Sequence, residues 1–128
     1  MPAPLDRATL LAHPDALECT VYRPDPNDAD DEIDLGDALI VLGEPFAIPV
    51  EWDANDLEAY LGDGDEADFY NAWLEPTSAP GSRGHFSALP GDYVAATASD
   101  GLITMYAIHD CPDTAANLFI VQQQRIEL

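Results

Sequence analysis

Residues 53–74 read DANDLEAYLGDGDEADFYNAWL, and the fold class turns on them. Asp53 is a helix N-cap, Asp56 puts an acid in the first turn, and Leu57, Tyr60 and Leu61 recur at helical spacing. This predicts a helix over residues 54–61. Gly62, Asp63 and Gly64 break it. Asp65 then caps a second predicted helix, in which Phe69, Ala72 and Trp73 form an apolar stripe with Tyr70 and Leu74 alongside. The expectation is a helical hairpin with its acids on the outer surface.

Upstream, residues 5–12 predict a short N-terminal helix that ends at His13-Pro14. Residues 18–23 (ECTVYR) read as a strand stopped by the prolines of PDP, and residues 25–37 (DPNDADDEIDLGD) as an acidic loop. Residues 37–42 (DALIVL) and 45–52 (PFAIPVEW) predict two strands joined by a tight turn at Gly43-Glu44, the second an edge strand because Pro45 and Pro49 lack ladder donors.

Downstream, residues 76–91 are rich in Pro, Gly and Ser and predict a long loop. Residues 93–98 and 102–109 flank Asp100-Gly101, a two-residue hairpin signal that pairs Ser99 with Leu102, Tyr93 with Ile108 and Asp92 with His109. After a turn at residues 111–114, residues 118–126 (LFIVQQQRI) predict a last strand. Together these segments predict one α+β domain over residues 1–128: an antiparallel sheet of five to six strands with an inserted helical hairpin and a short N-terminal helix.

Charge is the distinguishing feature of the composition. Four basic and 25 acidic residues give a net charge of −21, and no lysine is present. Such a field repels nucleic acid and anionic membranes and attracts basic partners. Neither a signal peptide nor an apolar run of bilayer length is found, so the expected location is the cytoplasm, with Cys19 and Cys111 as buried thiols rather than a disulfide framework.

No catalytic or metal motif stands up. No EF-hand frame works: counting from Asp28, Ile33 occupies the turn-glycine position, and counting from Asp63, Asp63 and Asp65 are followed by Ala67 where a third oxygen donor is needed. His109-Asp110-Cys111 sets a base, an acid and a thiol side by side, but neighbours on a strand point to opposite faces. His13 and His85 have no second ligand at zinc-site spacing, and phosphate-binding glycine loops are absent. The expectation is no enzyme activity, no metal and no cofactor.

The acids are concentrated mid-chain, with seventeen between Arg23 and Arg83 and no base among them. Over residues 53–68 there are seven, about one per ~3.4 Å if helical, which matches the phosphate spacing of one DNA strand. Residues 25–37, taken as extended chain, carry one only every ~6 Å. A continuous track therefore requires residues 25–37 to fold beside residues 53–68.

The leading expectation is a small non-enzymatic inhibitor presenting a DNA-mimicking carboxylate face to a basic nucleic-acid-binding protein or nuclease complex, in the anti-CRISPR, anti-restriction or nuclease-immunity class. The face would comprise Asp28, Asp30, Asp31, Glu32, Asp34, Asp53, Asp56, Glu58, Asp63, Asp65, Glu66 and Asp68, with Tyr60 and Tyr70 as exposed anchors. The rivals are a structural or assembly protein, such as a virion component docking through its edge strand, and a salt-adapted acidic protein.

Overall fold

The computed structural model describes residues 6–62, 64–111 and 117–124. Its elements run α1 (Arg7–Leu11), β1 (Leu17–Asp25), β2 (Asp28–Pro45), α2 (Ala54–Leu61), a single 3-10 turn (Glu66–Asp68), β3 (Phe69–Pro76), β4 (Tyr93–Thr97), β5 (Ile103–Asp110) and β6 (Leu118–Gln123). The six strands close into an antiparallel barrel in the order β1-β2-β3-β6-β5-β4. The fold is thus mostly β, and the α+β sheet with a helical hairpin is overturned.

The correction lies in the second half of residues 53–74. The first predicted helix forms as α2, closed by a reciprocal cap in which Asp53 accepts from the Asp56 N–H at 2.9 Å and Asp56 from the Asp53 N–H at 3.2 Å. Asp65 also caps, accepting from the Ala67 N–H at 3.0 Å, but what it caps is one 3-10 turn. From Phe69 the chain is a strand. Tyr70, Ala72 and Leu74 pack with the barrel interior, while Phe69 is buried in a second cluster with Leu61 and Ile120. Covered on both faces, β3 has no reason to alternate polar with apolar, so its apolar residues also satisfied a helical stripe.

Residues 25–37 are not a loop. The chain turns at Pro26-Asn27 and β2 runs back along β1, with Arg23 opposite Ile33 and Tyr22 opposite Asp34. Residues 45–52 form no second strand: β2 instead continues through Gly43-Glu44 to Pro45, with a register shift against β3, and residues 46–49 are irregular. Prolines at 45 and 49 leave that segment too few donors for a ladder.

The β4–β5 hairpin forms one residue out of the expected register. Tyr93 lies opposite Ala107 and Thr97 opposite Ile103, around a loop of Ser99, Asp100 and Gly101 closed by the Gly101 N–H to Ala98 O bond at 2.9 Å. Gly101 has φ +86°, so this is a three-residue loop ending in a left-handed glycine. Burial demands the slip: Val94, Ala96, Tyr106 and Ile108 all face the core, and this register puts Val94 opposite Tyr106 and keeps all four side chains on one face of the pair.

Register around the barrel is strongly staggered. Phe46 donates to the Phe69 carbonyl, and the pairings run on from Phe69 through Gln122, Ala107, Tyr93 and Tyr22 to Asp34, twelve residues back from Phe46 on the same chain. Such stagger tilts the strands steeply, and side chains fill the interior. Val21, Ile40, Val94, Ile108 and Val121 are fully buried there. Since β3 and β4 stand three places apart in the closed order, the segment joining them crosses the barrel, and Phe86 and Ala88 from it pack on the interior cluster.

Two arginines pin that crossing segment. Arg7 donates to the carbonyls of Pro76 (2.7 Å) and Ser78 (3.0 Å), and Arg23 to that of Ser87 (3.1 Å) while its Nε and Nη2 hold the two oxygens of buried Asp92, each at 2.9 Å. Asp92 is thereby tied to Arg23 and not, as expected, paired with His109.

Cys19 lies inside the barrel, and burial, with the Asp37 charge second, pushes its thiol up to about 12 from the ordinary 9.0. The unfolded thiol ionises first, so stability is level below pH 9 and falls as pH rises toward 12. At about 1.4 kcal/mol per pH unit, Cys19 costs the fold about 2–3 kcal/mol by pH 11. Urea unfolding across pH 8–11 is expected to show a fall about 2–3 kcal/mol larger in the wild type than in Cys19→Ala, in which the raised Tyr60 and Tyr106 hydroxyls still contribute above pH 10; parallel curves would contradict it.

Candidate functional site

Two features stand out on this barrel. The first is the hairpin arm made by the end of β1 and the start of β2. Residues 28–36 of β2 pair with β1 alone, because pairing with β3 begins at Ala38. A bulge at Leu35 followed by Gly36, at φ +133°, bends the strand where it leaves the barrel. Phe86 packs close to Gly36, 3.3 Å from where a Cβ would sit.

Folding back changes the charge density. Residues 25–37 lie alongside residues 20–25 of β1, a length of ~17 Å, so their seven carboxylates fall at about one per ~2.4 Å. That lies between the ~3.4 Å of one DNA strand and the ~1.7 Å of a duplex. The arm alone therefore reaches a density the extended reading denied it. Asp28, Asp30, Asp31, Glu32 and Asp34 are all exposed. Asp25, Asp28 and Asp31 each turn one oxygen to a nearby backbone N–H (Asn27, 2.8 Å; Asp30, 3.0 Å; Glu32, 2.9 Å), which stiffens the tip. Ile33 sits among them 43% exposed, an apolar contact point on an acidic arm. It registered in the sequence only as the residue that spoils a calcium loop.

The second acidic segment does not join the first. α2 packs on the outer face of β3 and β6 through Leu57, Tyr60 and Leu61 against Phe69 and Ile120. β6, at the centre of that footprint, stands three places from β1 in the closed order, and Tyr60 reaches on to Asp110 of β5, so the α2 face lies across the barrel from the β1 strand of the arm. Asp53, Asp56, Glu58, Asp65 and Glu66 are exposed there, and Asp68 is half-buried. Asp63 lies outside the described residues. The single track over both segments is not formed.

Neither tyrosine is an exposed anchor. Tyr70 packs against the interior cluster because β3 turns its even-numbered side chains inward. Tyr60 is half-buried and donates its hydroxyl to Asp110 at 2.7 Å. Burial first, and that bond second, raise its pKa well above the ordinary tyrosine range.

Tyr60 belongs to the second feature, an aromatic cluster beside a pocket. Its ring stacks on Phe46 (centroids 5.3 Å apart), leans on Trp52 (5.1 Å) and takes the edge of His109 (4.8 Å). A bulge at His109 lies between the Ile108–Val121 and Asp110–Ile120 pairs. It lets consecutive His109 and Asp110 both reach Tyr60, contrary to simple alternation, with His109 Nε2–H donating to the Tyr60 carbonyl at 2.6 Å. Cys111 packs instead on the interior cluster, so His109, Asp110 and Cys111 do not assemble as a base and nucleophile. The pocket, about 440 Å³, is bounded by residues 46–50, Trp52, Tyr60, Asn71, Asp110 and Ile120. The strand that the sequence predicts over PFAIPVEW conceals it, because the pocket wall exists only once residues 46–49 are irregular.

Among the described residues no group of three or more His, Cys, Asp or Glu side chains is placed to hold a metal ion, and no helix is long and apolar enough to cross a membrane. Compared with protein-family models, curated proteins and solved structures, the chain matches none.

Proposed function

We propose that this chain is a non-enzymatic cytoplasmic inhibitor whose acidic arm occupies the basic nucleic-acid-binding groove of a partner, in the anti-CRISPR, anti-restriction or nuclease-immunity class. The supporting observation is the arm itself: seven carboxylates along ~17 Å, at a density between those of single-stranded and duplex DNA. Asp28, Asp30, Asp31, Glu32 and Asp34 stand in for phosphates against arginine and lysine, and Ile33 supplies the apolar contact. Arg7 and Arg23, being occupied with Glu75 and Asp92, do little to dilute the field.

The assembly reading loses its docking element, since residues 46–52 form no strand and closure of the barrel leaves β6 paired on both sides. Charges on the arm's open edge also discourage pairing between copies.

The test is capture from the host lysate with the wild-type chain and with the five arm acids changed to Lys. The expected result is a basic nucleic-acid-binding protein that is retained at 100 mM salt, weakened at 500 mM, and lost at least 100-fold with the reversed arm. Neutralising Glu58, Asp65 and Glu66 on the opposite side is expected to leave capture within about twofold. Equal loss from both variants would mean that total charge, not the arm, drives binding.

A further inference from the structure

We propose that the pocket between residues 46–52, α2 and the β5–β6 outer face binds a small organic cation with an apolar body, of the aralkyl-ammonium or quaternary-ammonium class. This site is distinct from the arm and does not depend on it. At about 440 Å³ the pocket falls in the range of small-ligand sites. Its walls are apolar, with Phe46, Ile48, Trp52 and Ile120 offering surface for a hydrocarbon body.

Three observations select a cation. Asp110 places a carboxylate on the lining, and among the described residues no Arg, Lys or His lines the pocket with it. Its oxygens each accept one bond, from the Tyr60 hydroxyl (2.7 Å) and the Cys111 N–H (2.8 Å), and each keeps a lone pair for a ligand. Those two bonds also hold the carboxylate in place before any ligand arrives. Trp52 and Tyr60 then add electron-rich ring surface, which attracts ammonium groups. Because Phe46, Trp52 and Tyr60 touch one another, with centroids 5.1–6.1 Å apart, the cation lies against their pocket-facing surface and not between them. The net charge of −21 raises the local concentration of cations and repels anions of the same shape.

Titration calorimetry of the full chain with phenethyltrimethylammonium, 2-phenylethanol and 3-phenylpropanoate tests this. The cation is expected to bind one-to-one and at least tenfold more tightly than the neutral alcohol, and the anion to show no saturable binding. Asp110→Asn, which keeps an oxygen for the Tyr60 hydroxyl, is expected to weaken the cation tenfold and leave the alcohol unchanged. Glu58→Gln removes the same charge from the exposed side of α2 and is expected to change neither. Should Asp110→Asn fail to fold, NOEs from the N-methyl protons to the Trp52 and Tyr60 rings in the wild type decide the matter. Equal affinity for cation and alcohol, equal effects of the two variants, or absence of those NOEs at saturating cation would overturn the proposal.

Discussion

Arg23→Ala is expected to lower the unfolding free energy by about 3 kcal/mol. Asp92 is 2% exposed, and Arg23 covers both of its oxygens. Removing the guanidinium strands a buried carboxylate whose remaining partner is the Leu89 N–H at 2.8 Å. Breaking a buried pair from one side costs ~3–5 kcal/mol; the lower figure applies because the Arg23 side chain keeps 34% of its surface in water. With a urea slope of about 1–3 kcal/mol per molar, the midpoint should fall by about 1–3 M. Arg23→Ala combined with Asp92→Asn should be less damaging than the sum of the two, since the uncompensated charge is gone. Additive effects, or a loss under 1 kcal/mol, would show that the pair does not hold the crossing segment to the barrel.

Phe69→Ala should cost more, about 4 kcal/mol, within the ~3–5 kcal/mol range for buried aromatics. Phe69 is fully buried, takes the edge of His109 at 4.9 Å between centroids, and forms with Leu61 and Ile120 the cluster on which α2 sits. An eight-residue helix is too short to persist without such packing. Hydrogen exchange in α2 should therefore accelerate more than in β1 or β4, whose cores do not include Phe69. Phe69→Leu should cost under half as much. Uniform acceleration throughout would mean that α2 and the barrel unfold as one unit.

Local signals were legible where local chemistry decides. The caps at Asp53 and Asp65, the α2 boundaries, the turn before β5 and the long connection after β3 all follow from residues a few positions apart. The interior residues Ile40, Val94, Ile108 and Val121 were within segments read as strands. Phe69, Ala72 and Trp73 misled because a strand buried on both faces leaves no polar alternation to distinguish it from a helix. The pocket was illegible for a related reason. Its lining comes from residues 46–52, α2, β3, β5 and β6, and the bulge that lets His109 and Asp110 both reach Tyr60 leaves no mark in sequence.

The sequence by itself determined the sign and concentration of charge, the helix caps, the place of the turn before β5 and most of the apolar segments that fill the core. These depend on residue identity and on neighbours within a turn. Only the tertiary structure decided that the strands close into a barrel, that residues 25–37 double back into a dense acidic arm, and that this arm and α2 stand on opposite sides. Those outcomes rest on pairings between residues far apart in the chain. Charge spacing along a sequence becomes charge density in space only after the backbone has chosen its partners.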